Sequence, residues 1–299
     1  MTGCQDGPKS PDVGIVYNSA LAGTLIANPD MVDVISVVPE TLWHESDGSP
    51  RYRWIEGAVQ LFEESLNCIP VVFHGIGLSI GSGLPLDIGH LDQVAAAAER
   101  YHPLWYSEHL AAFKVSCGPG RPAHSGVGLP VPLDRQTLRQ LVPKVATATA
   151  RLRMPVLLEN SAIYVEVPGT EMSEAQFLNR LCDETGSYIL LDLHNLMTNE
   201  VNLSWDADRY LGELDLSRVK EIHVAGGAML GRWYTDAHSG ACPERVLTLL
   251  DMVAPAAPAL RLITFELHES HFRRLGPSGL EAELSRLRAS IDKVASDLP

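Results

Sequence analysis

The sequence contains few cysteine and aromatic residues, and it has no long apolar run. Its five cysteines are scattered and never spaced as CxxC, which excludes a disulfide framework and favours a reducing cytoplasm. Every apolar run is shorter than the roughly 20 residues that cross a bilayer, and the polar N-terminus lacks the pattern of a secretory signal. We therefore expect a cytoplasmic protein without a membrane partner.

Basic residues are scarce relative to acidic ones. The chain has 23 Lys and Arg against 37 Asp and Glu, so its formal net charge is -14. Such a surface repels phosphate backbones, which argues against a nucleic-acid partner. A basic peptide or a metal ion is compatible with this charge, but the charge alone does not decide between them.

Short apolar runs alternate with longer amphipathic segments along the chain. The runs cover residues 13–18, 32–38, 69–75, 104–110, 154–160, 188–194, 219–226 and 261–267. Apolar strands separated by helices are typical of a parallel sheet buried on both faces, and eight of them favour a closed barrel. We predict a flexible lead over residues 1–12 and a single (β/α)8 TIM barrel over 13–299. The Gly- and Pro-rich stretch 111–132 is predicted as an irregular loop over the barrel mouth.

Side chains that can bind metals follow six consecutive predicted strands, from the third to the eighth. The carboxyl ends of TIM-barrel strands form the active-site mouth, so these side chains are expected to meet there. They are His74, Glu108, His109, Glu159, Asn160, Asp192, His194, Asn195, His223, Asp236, His238, Glu266 and His268.

Each of these residues also has a purely structural interpretation. A histidine after an apolar strand is commonly a hydrogen-bonded packing residue, and a carboxylate such as Asp236 commonly caps the next helix. As a set, however, several carboxylates in one mouth repel one another unless cations neutralise them. Imidazoles mixed with carboxylates are typical ligands of zinc, manganese or iron. The set therefore predicts a transition-metal site.

The Gly-rich segment HGIGLSIGSGLP, residues 74–85, is only superficially similar to a dinucleotide-binding motif. It follows the third strand, lacks the GxGxxG spacing and has no helix beginning at its glycines. We interpret it as a tight turn that lets the backbone approach the metal or the substrate.

Several motifs, taken in order, resemble those of one family. HGIGLSIGS, SEHL, LLEN, LLDLHN, EIHVAGG, DAHS and the FEL of the last strand are similar to motifs of the multinuclear non-heme iron-dependent oxidative enzymes, which include the methanobactin-synthesis oxidase. The resemblance covers nearly the whole chain. The order of the ligands is more distantly similar to that of endonuclease IV and the xylose-isomerase-like barrels.

The resemblance implies a metal-binding role for each matching residue. The residues that match the ligands of two iron ions are His74, His109, Glu159, Asp192, His223 and Glu266. Among them, Glu159 would bridge the two ions. The residues that match a third, more variable metal position are Asn195, Asp236 and His238.

The resemblance also implies a reaction and its partners. Family members use two or three iron ions, in mixed Fe2+ and Fe3+ states, with dioxygen as the co-substrate. They oxidise cysteine, or sometimes aspartate or another residue, in ribosomally made peptides. Many need a separate partner protein that presents the peptide.

The chain departs from the family pattern beside its ligands. Where the family has two Asn after the sixth-strand Asp, the first is His194 here, and residues 266–268 read ELH instead of EWD. Residues 236–239 read DAHS where the family has Asp-x-His-Asp. Such neighbours orient ligands and shape the substrate pocket. The departures therefore affect which substrate the site accepts and whether the third metal position is occupied. His194 itself is either an additional ligand or a hydrogen-bond donor to a ligand.

The candidate catalytic residues are the ligands Glu159 and Asp192 together with His194 and Glu108. We expect Glu108 to accept a hydrogen bond from His109 or another imidazole. The alternative for Glu108 is a solvated carboxylate at a strand end.

Three functions are compatible with these residues. The leading hypothesis is an iron- and dioxygen-dependent oxidase that modifies a residue of a peptide or a related small substrate. The first alternative is a redox-inert metal hydrolase or isomerase of the endonuclease IV or sugar-isomerase type, although the negative charge disfavours DNA and no strand end supplies a lysine for sugar isomerisation. The second is a silent barrel that stores metal or binds a partner, which intact ligands on six strands argue against.

Overall fold

A computed structural model describes residues 10–118 and 122–297 of the chain. Its strands, in chain order, are β1 (Asp12–Val16), β2 (Val34–Val37), β3 (Trp43–Glu45), β4 (Tyr52–Trp54), β5 (Val71–Gly75), β6 (Tyr106–His109), β7 (Ala111–Val115), β8 (Ala123–Pro130), β9 (Val156–Glu159), β10 (Tyr188–Asp192), β11 (Val219–Ala225), β12 (Ala228–Leu230), β13 (Trp233–Thr235) and β14 (Leu262–Glu266). Residues 1–9 of the predicted N-terminal lead lie outside the described residues.

Eight parallel strands close into a barrel in the order β1, β2, β5, β6, β9, β10, β11 and β14, with β14 pairing back to β1. Each of these strands lies in one of the eight predicted apolar runs or begins one residue before it. The predicted (β/α)8 barrel is therefore confirmed.

Helices cover the outside of the barrel. They are α1 (Ala22–Ala27), α2 (Glu56–Leu66), α3 (Ile88–Tyr101), α4 (Arg135–Leu152), α5 (Glu174–Thr185), α6 (Leu193–Leu203), α7 (Ala207–Glu213), α8 (Glu244–Val253) and α9 (Glu269–Asp297), the last interrupted at Gly276. Side chains cap several of them: Asp134 accepts a hydrogen bond from Thr137 N at the start of α4. None of the helices in the described ranges is long and apolar enough to cross a membrane.

The stretch 111–132 is not an irregular loop as predicted. Within it, β7 and β8 pair as an antiparallel hairpin, and residues 119–121 lie outside the described ranges. The glycines that favoured a loop permit this pairing, because a Cβ at Gly128 would lie 3.2 Å from the Phe113 ring. Two more hairpins, β3–β4 and β12–β13, extend from the ends of barrel strands.

The barrel interior has an apolar layer and a polar layer. The apolar layer consists of Val34, Val72, Trp105, Leu157, Leu190 and Leu262, all buried. A larger apolar core fills the space between the strands and the helices. The polar side chains that point into the barrel lie nearer the carboxyl ends of the strands. The candidate site therefore lies directly above the packed apolar layer.

Candidate metal centre

The strand ends bring six of the predicted ligands into one buried cluster. The described residues include three groups that could each hold a metal ion. Within each group, one ligand atom from every residue lies within 4.8 Å of the others. The groups are His74 with His109 and Glu159, His74 with His223 and Glu266, and Glu159 with Asp192 and His223. Because Glu159 and His223 belong to two groups each, the groups form one connected centre.

Hydrogen bonds orient the imidazoles at the first group. His74 Nδ1 lies 2.9 Å from Ser107 Oγ, and Ser107 donates its own hydrogen to Phe73 O at 3.1 Å. Ser107 Oγ therefore accepts from His74 Nδ1–H, which leaves the Nε2 lone pair free. That Nε2 lies 3.5 Å from Glu159 Oε2. His109 is arranged similarly, with Nδ1 facing a backbone carbonyl and Nε2 lying 3.3 Å from Glu159 Oε2.

A buried carboxylate outside the predicted set, Glu221, orients His223. Glu221 precedes His223 by two residues on β11, so both side chains point into the barrel. Glu221 accepts hydrogen bonds from His223 Nε2 at 3.1 Å, Thr264 Oγ1 at 2.7 Å and Trp105 Nε1 at 2.7 Å. Within the part of the chain that the structure describes, His223 Nδ1 has no hydrogen-bond partner, and it lies 3.2 Å from Glu266 Oε1. The EIH of the EIHVAGG motif carried this signal, since strand residues two apart share a face.

Three buried oxygens of the predicted ligands have no donor among the residues that the structure describes. Asp192 Oδ1 caps α6 by accepting from Asn195 N at 2.8 Å, but its Oδ2 has no partner. Asn195 donates from Nδ2 to Glu159 Oε1 at 3.3 Å and to Asn160 O at 3.1 Å. Both of these contacts use Nδ2, so the Oδ1 of Asn195 is left without a partner within the described ranges. Glu159 Oε2 is the third such oxygen.

Acceptor atoms therefore face acceptor atoms across the centre. The free lone pair of His74 Nε2 faces Glu159 Oε2, and that of His223 Nδ1 faces Glu266 Oε1. Lone pairs at these distances repel unless a proton or a metal ion lies between them. Neutral imidazoles with carboxylates suit iron, manganese or zinc, so the residues present fit a transition metal.

In the metal-free centre, protons take this place. Burial works to lower the pKa of His223, but the Glu266 and Glu221 carboxylates together outweigh burial and raise that pKa well above its ordinary value. Burial raises the pKa of Glu159, and burial with the charge of Glu266 raises the pKa of Asp192 to about 7. A metal ion that enters would displace these protons.

The residues predicted for a third position lie beside this centre. Asp236 Oδ1 is 2.9 Å from His238 Nε2, which in turn is 3.2 Å from Glu266 Oε2. His238 has a left-handed backbone, with φ of 47°, which is uncommon for a residue with a side chain. No helix begins at Asp236, so the alternative of a helix cap is wrong. Both nitrogens of His194 face hydrogen-bond partners, with Nδ1 2.9 Å from Asp236 Oδ1 and Nε2 3.3 Å from Tyr234 Oη, which favours the hydrogen-bond donor over the additional ligand.

Comparison with known families decides where the chain belongs. Residues 12–275 match the family described as RiPP precursor modification enzyme MbnB/TglH/ChrH. The chain belongs to this family. The match confirms the resemblance drawn from the motifs.

Curated relatives of this MbnB/TglH/ChrH family member are UPF0276 proteins. One from Caulobacter vibrioides is 33% identical over 185 residues, which cover 62% of this chain and 64% of that protein. One from Streptomyces avermitilis is 31% identical over 275 residues, which cover 90% of this chain and 54% of that protein. The chain thus spans between half and two thirds of the length of these relatives.

Solved structures share the fold of this family member at low sequence identity. A D-psicose 3-epimerase from Clostridium cellulolyticum has a TM-score of 0.56 at 11% identity, covering 95% of this chain and 98% of that one. SacUVDE has a TM-score of 0.57 at 11% identity, covering 93% and 98%. These likenesses show the (β/α)8 barrel fold and nothing further.

In this family member, Glu108 does not face the imidazoles. Glu108 Oε1 accepts from Ser79 N at 3.1 Å, and Oε2 accepts from the Tyr106 hydroxyl. The expected hydrogen bond from His109 is therefore wrong, because adjacent strand residues point to opposite faces and Glu108 lies on the outer face of β6. The alternative of a solvated carboxylate is also wrong, since Glu108 is fully buried and burial, with the charge of Glu40, raises its pKa to about 8.

Hydrogen bonds to groups outside the metal centre fix the Gly-rich segment in place. Glu108 and Glu40 accept hydrogen bonds from the backbone N of Ser79 and Gly77. Ser79 Oγ accepts from two backbone N–H groups of β7, at 2.8 and 2.9 Å, which joins the segment to the β7–β8 hairpin. In the MbnB/TglH/ChrH family member, the segment thus connects the His74 strand to the rim of the mouth.

Proposed function

We propose that this chain is a multinuclear non-heme iron oxidase that uses dioxygen to modify a residue of a ribosomally made peptide precursor, with cysteine the first candidate residue. Family membership supports a peptide-modifying enzyme. The oxidase chemistry, the identity of the metal and the site residues are our proposal.

The observation that carries the proposal is the arrangement of acceptors around the centre. The hydrogen bonds of His74 and His223 direct their lone pairs at Glu159 Oε2 and Glu266 Oε1, and Glu159 Oε2 has no donor in the described part of the chain. Without additional protons this set lacks hydrogen-bond donors, whereas several metal ions would accept its lone pairs at once. Its mixture of imidazole, carboxylate and amide ligands, without any thiolate, is typical of non-heme iron.

The chain's own residues would hold the ions and orient one another. The ligands we propose for two ions are His74, His109, Glu159, Asp192, His223 and Glu266, and those for a third are Asn195, Asp236 and His238. Glu159 would bridge two ions, because it belongs to two of the metal groups, one with His74 and His109 and one with Asp192 and His223. Iron bound there would supply one-electron chemistry and open positions for dioxygen and for a substrate donor.

The rim above the centre would receive the peptide. Tyr164 and Trp233 contact each other with ring centroids 6.3 Å apart, and the Tyr164 hydroxyl accepts from Asp236 N at 2.9 Å. The β12–β13 hairpin beside them exposes Met229 and Leu230. An apolar and aromatic rim suits side chains of an extended peptide, presented alone or by a partner protein.

Anaerobic reconstitution tests this function. The full chain is loaded with iron(II), analysed for bound metal, and then exposed to dioxygen with and without cysteine-bearing peptides. We expect more than one iron per chain and peptide-dependent uptake of dioxygen. Turnover with zinc and no dioxygen uptake would instead support the redox-inert hydrolase or isomerase.

Glu159→Gln tests the bridging role, with Glu174→Gln as a matched control. Both glutamates are buried, Glu159 at the end of β9 and Glu174 at the start of α5, but Glu174 accepts hydrogen bonds from Ser161 N and Tyr210 Oη outside the centre. We expect Glu159→Gln to lower the content of two ions at once, since Glu159 belongs to two metal groups, and Glu174→Gln to keep the wild-type content. Equal metal content in all three proteins would contradict the bridge.

A further inference from the structure

The third metal position is held by a chain of hydrogen bonds that begins outside it. Tyr234 Oη accepts a hydrogen bond from Gly227 N at 2.9 Å, so the hydroxyl hydrogen of Tyr234 is available to another acceptor. His194 Nε2 lies 3.3 Å from this oxygen. Donation from Tyr234 to Nε2 makes Nδ1 the protonated nitrogen of a neutral His194.

The protonated nitrogen of His194 faces Asp236. His194 Nδ1–H donates to Asp236 Oδ1 at 2.9 Å, and the His194 side chain is fully buried. The backbone around Asp236 is also tied, because Asn202 bonds both the N–H and the C=O of Tyr234. Asp236 is thereby fixed toward His238 Nε2, which has no hydrogen-bond partner in the described ranges.

We propose that Tyr234 and His194 are positioning residues for Asp236, and that they set how tightly this chain holds an ion at the position of Asn195, Asp236 and His238. The inference rests on the proposed function, since it assumes a metal centre. Asn195 supplies an independent indication: its buried Oδ1 has no partner among the described residues, and Asn195 lies on the same first turn of α6 as His194. Hydrogen bonds to the partner atoms of ligands commonly change metal affinity by about 10- to 100-fold.

The test measures iron content, independently of activity. The full chain and its variants are dialysed anaerobically against graded iron(II), and the bound iron is counted by elemental analysis and by the number of distinct iron signals in Mössbauer spectra. We expect Tyr234→Phe and His194→Leu to weaken only the most weakly held ion, by about 10-fold or more. His194→Asn should retain much of the affinity, because an Asn Nδ2 takes the place of imidazole Nδ1 as donor to Asp236.

Thr235→Val is the matched control. Thr235 Oγ1 donates to Ala228 O at 2.7 Å across the same hairpin, so this change removes a hairpin hydrogen bond without touching the Tyr234–His194–Asp236 chain. Thermal unfolding of the metal-free variants measures any general damage. The control should bind iron as the wild type does.

Three results would overturn the inference. One is wild-type iron content in Tyr234→Phe and His194→Leu; another is equal loss in Thr235→Val; a third is a wild-type chain that holds only two ions. A wild-type chain that binds no iron, or takes up no dioxygen with any peptide, would instead refute the proposed function. The two failures are therefore distinguishable.

Discussion

Replacing Glu221 with Gln should weaken metal binding, although Glu221 touches no metal position. Trp105 Nε1 can only donate, so the carbonyl oxygen of a Gln at position 221 must face Trp105. The amide NH2 of that Gln then faces His223 Nε2 and Thr264 Oγ1. His223 Nε2 becomes an acceptor, and the imidazole proton moves to Nδ1, where the proposed metal ion binds.

The size of this effect follows from its cause. In the variant the proton lies on His223 Nδ1, the nitrogen proposed to bind the metal. Metal binding then requires the proton to return to Nε2, which costs the hydrogen bond between Nε2 and the Gln at position 221. Changes of this kind cost about 10- to 100-fold in metal affinity, or about 1.4 to 2.7 kcal/mol. The side chain stays nearly isosteric, so packing of the metal-free barrel should change little.

Competition with a chelator measures the affinity of the full chain for iron(II) under anaerobic conditions. The double variant Trp105→Phe with Glu221→Gln provides the sharpest check, because without the Trp105 donor the Gln oxygen is free to turn toward His223. We expect the double variant to regain affinity relative to Glu221→Gln. An affinity in Glu221→Gln within twofold of the wild type, or no recovery in the double variant, would refute the reasoning.

Two further predictions concern stability. Burial raises the pKa of Glu174 to about 7, above its ordinary 4.5, so between these pH values the folded chain keeps a proton that the unfolded chain loses, and stability falls as pH rises. Glu174→Gln should flatten this dependence in urea unfolding followed from about pH 5 to about pH 8; unchanged slopes would contradict it. Gly75→Ala should destabilise the barrel by about 1–3 kcal/mol, because the added methyl would collide with the Tyr106 hydroxyl and the Glu108 carboxylate. Gly23→Ala in α1, where a Cβ meets nothing within 4 Å, is the control, and equal urea midpoints for the two variants would argue against the collision.

Much of the fold was predictable because barrel strands and ligand positions are local patterns. Eight apolar runs predicted the barrel strands, since strands covered on both faces are continuously apolar. The type of residue at each strand end predicted which side chains meet at the mouth, because the carboxyl ends of all barrel strands lie at one end. The β7–β8 hairpin was not predicted, because Gly and Pro locally favour a loop. The close approach of Gly128 to Phe113 depends on the pairing of two strands, which no local pattern shows.

The sequence by itself determined a barrel whose mouth carries imidazoles and carboxylates, because period and residue type are written along the chain. Only the tertiary structure decided which nitrogen of each imidazole forms a hydrogen bond and which faces the proposed metal. It also decided which carboxylates point into the barrel and which point outward. Glu221 meets Trp105 from a distant strand, and His194 meets Asp236 across 42 positions, so no local pattern shows either pair. Alternation along β6 puts Glu108 and His109 on opposite faces, but the register and tilt of the paired strands decide which of the two enters the barrel.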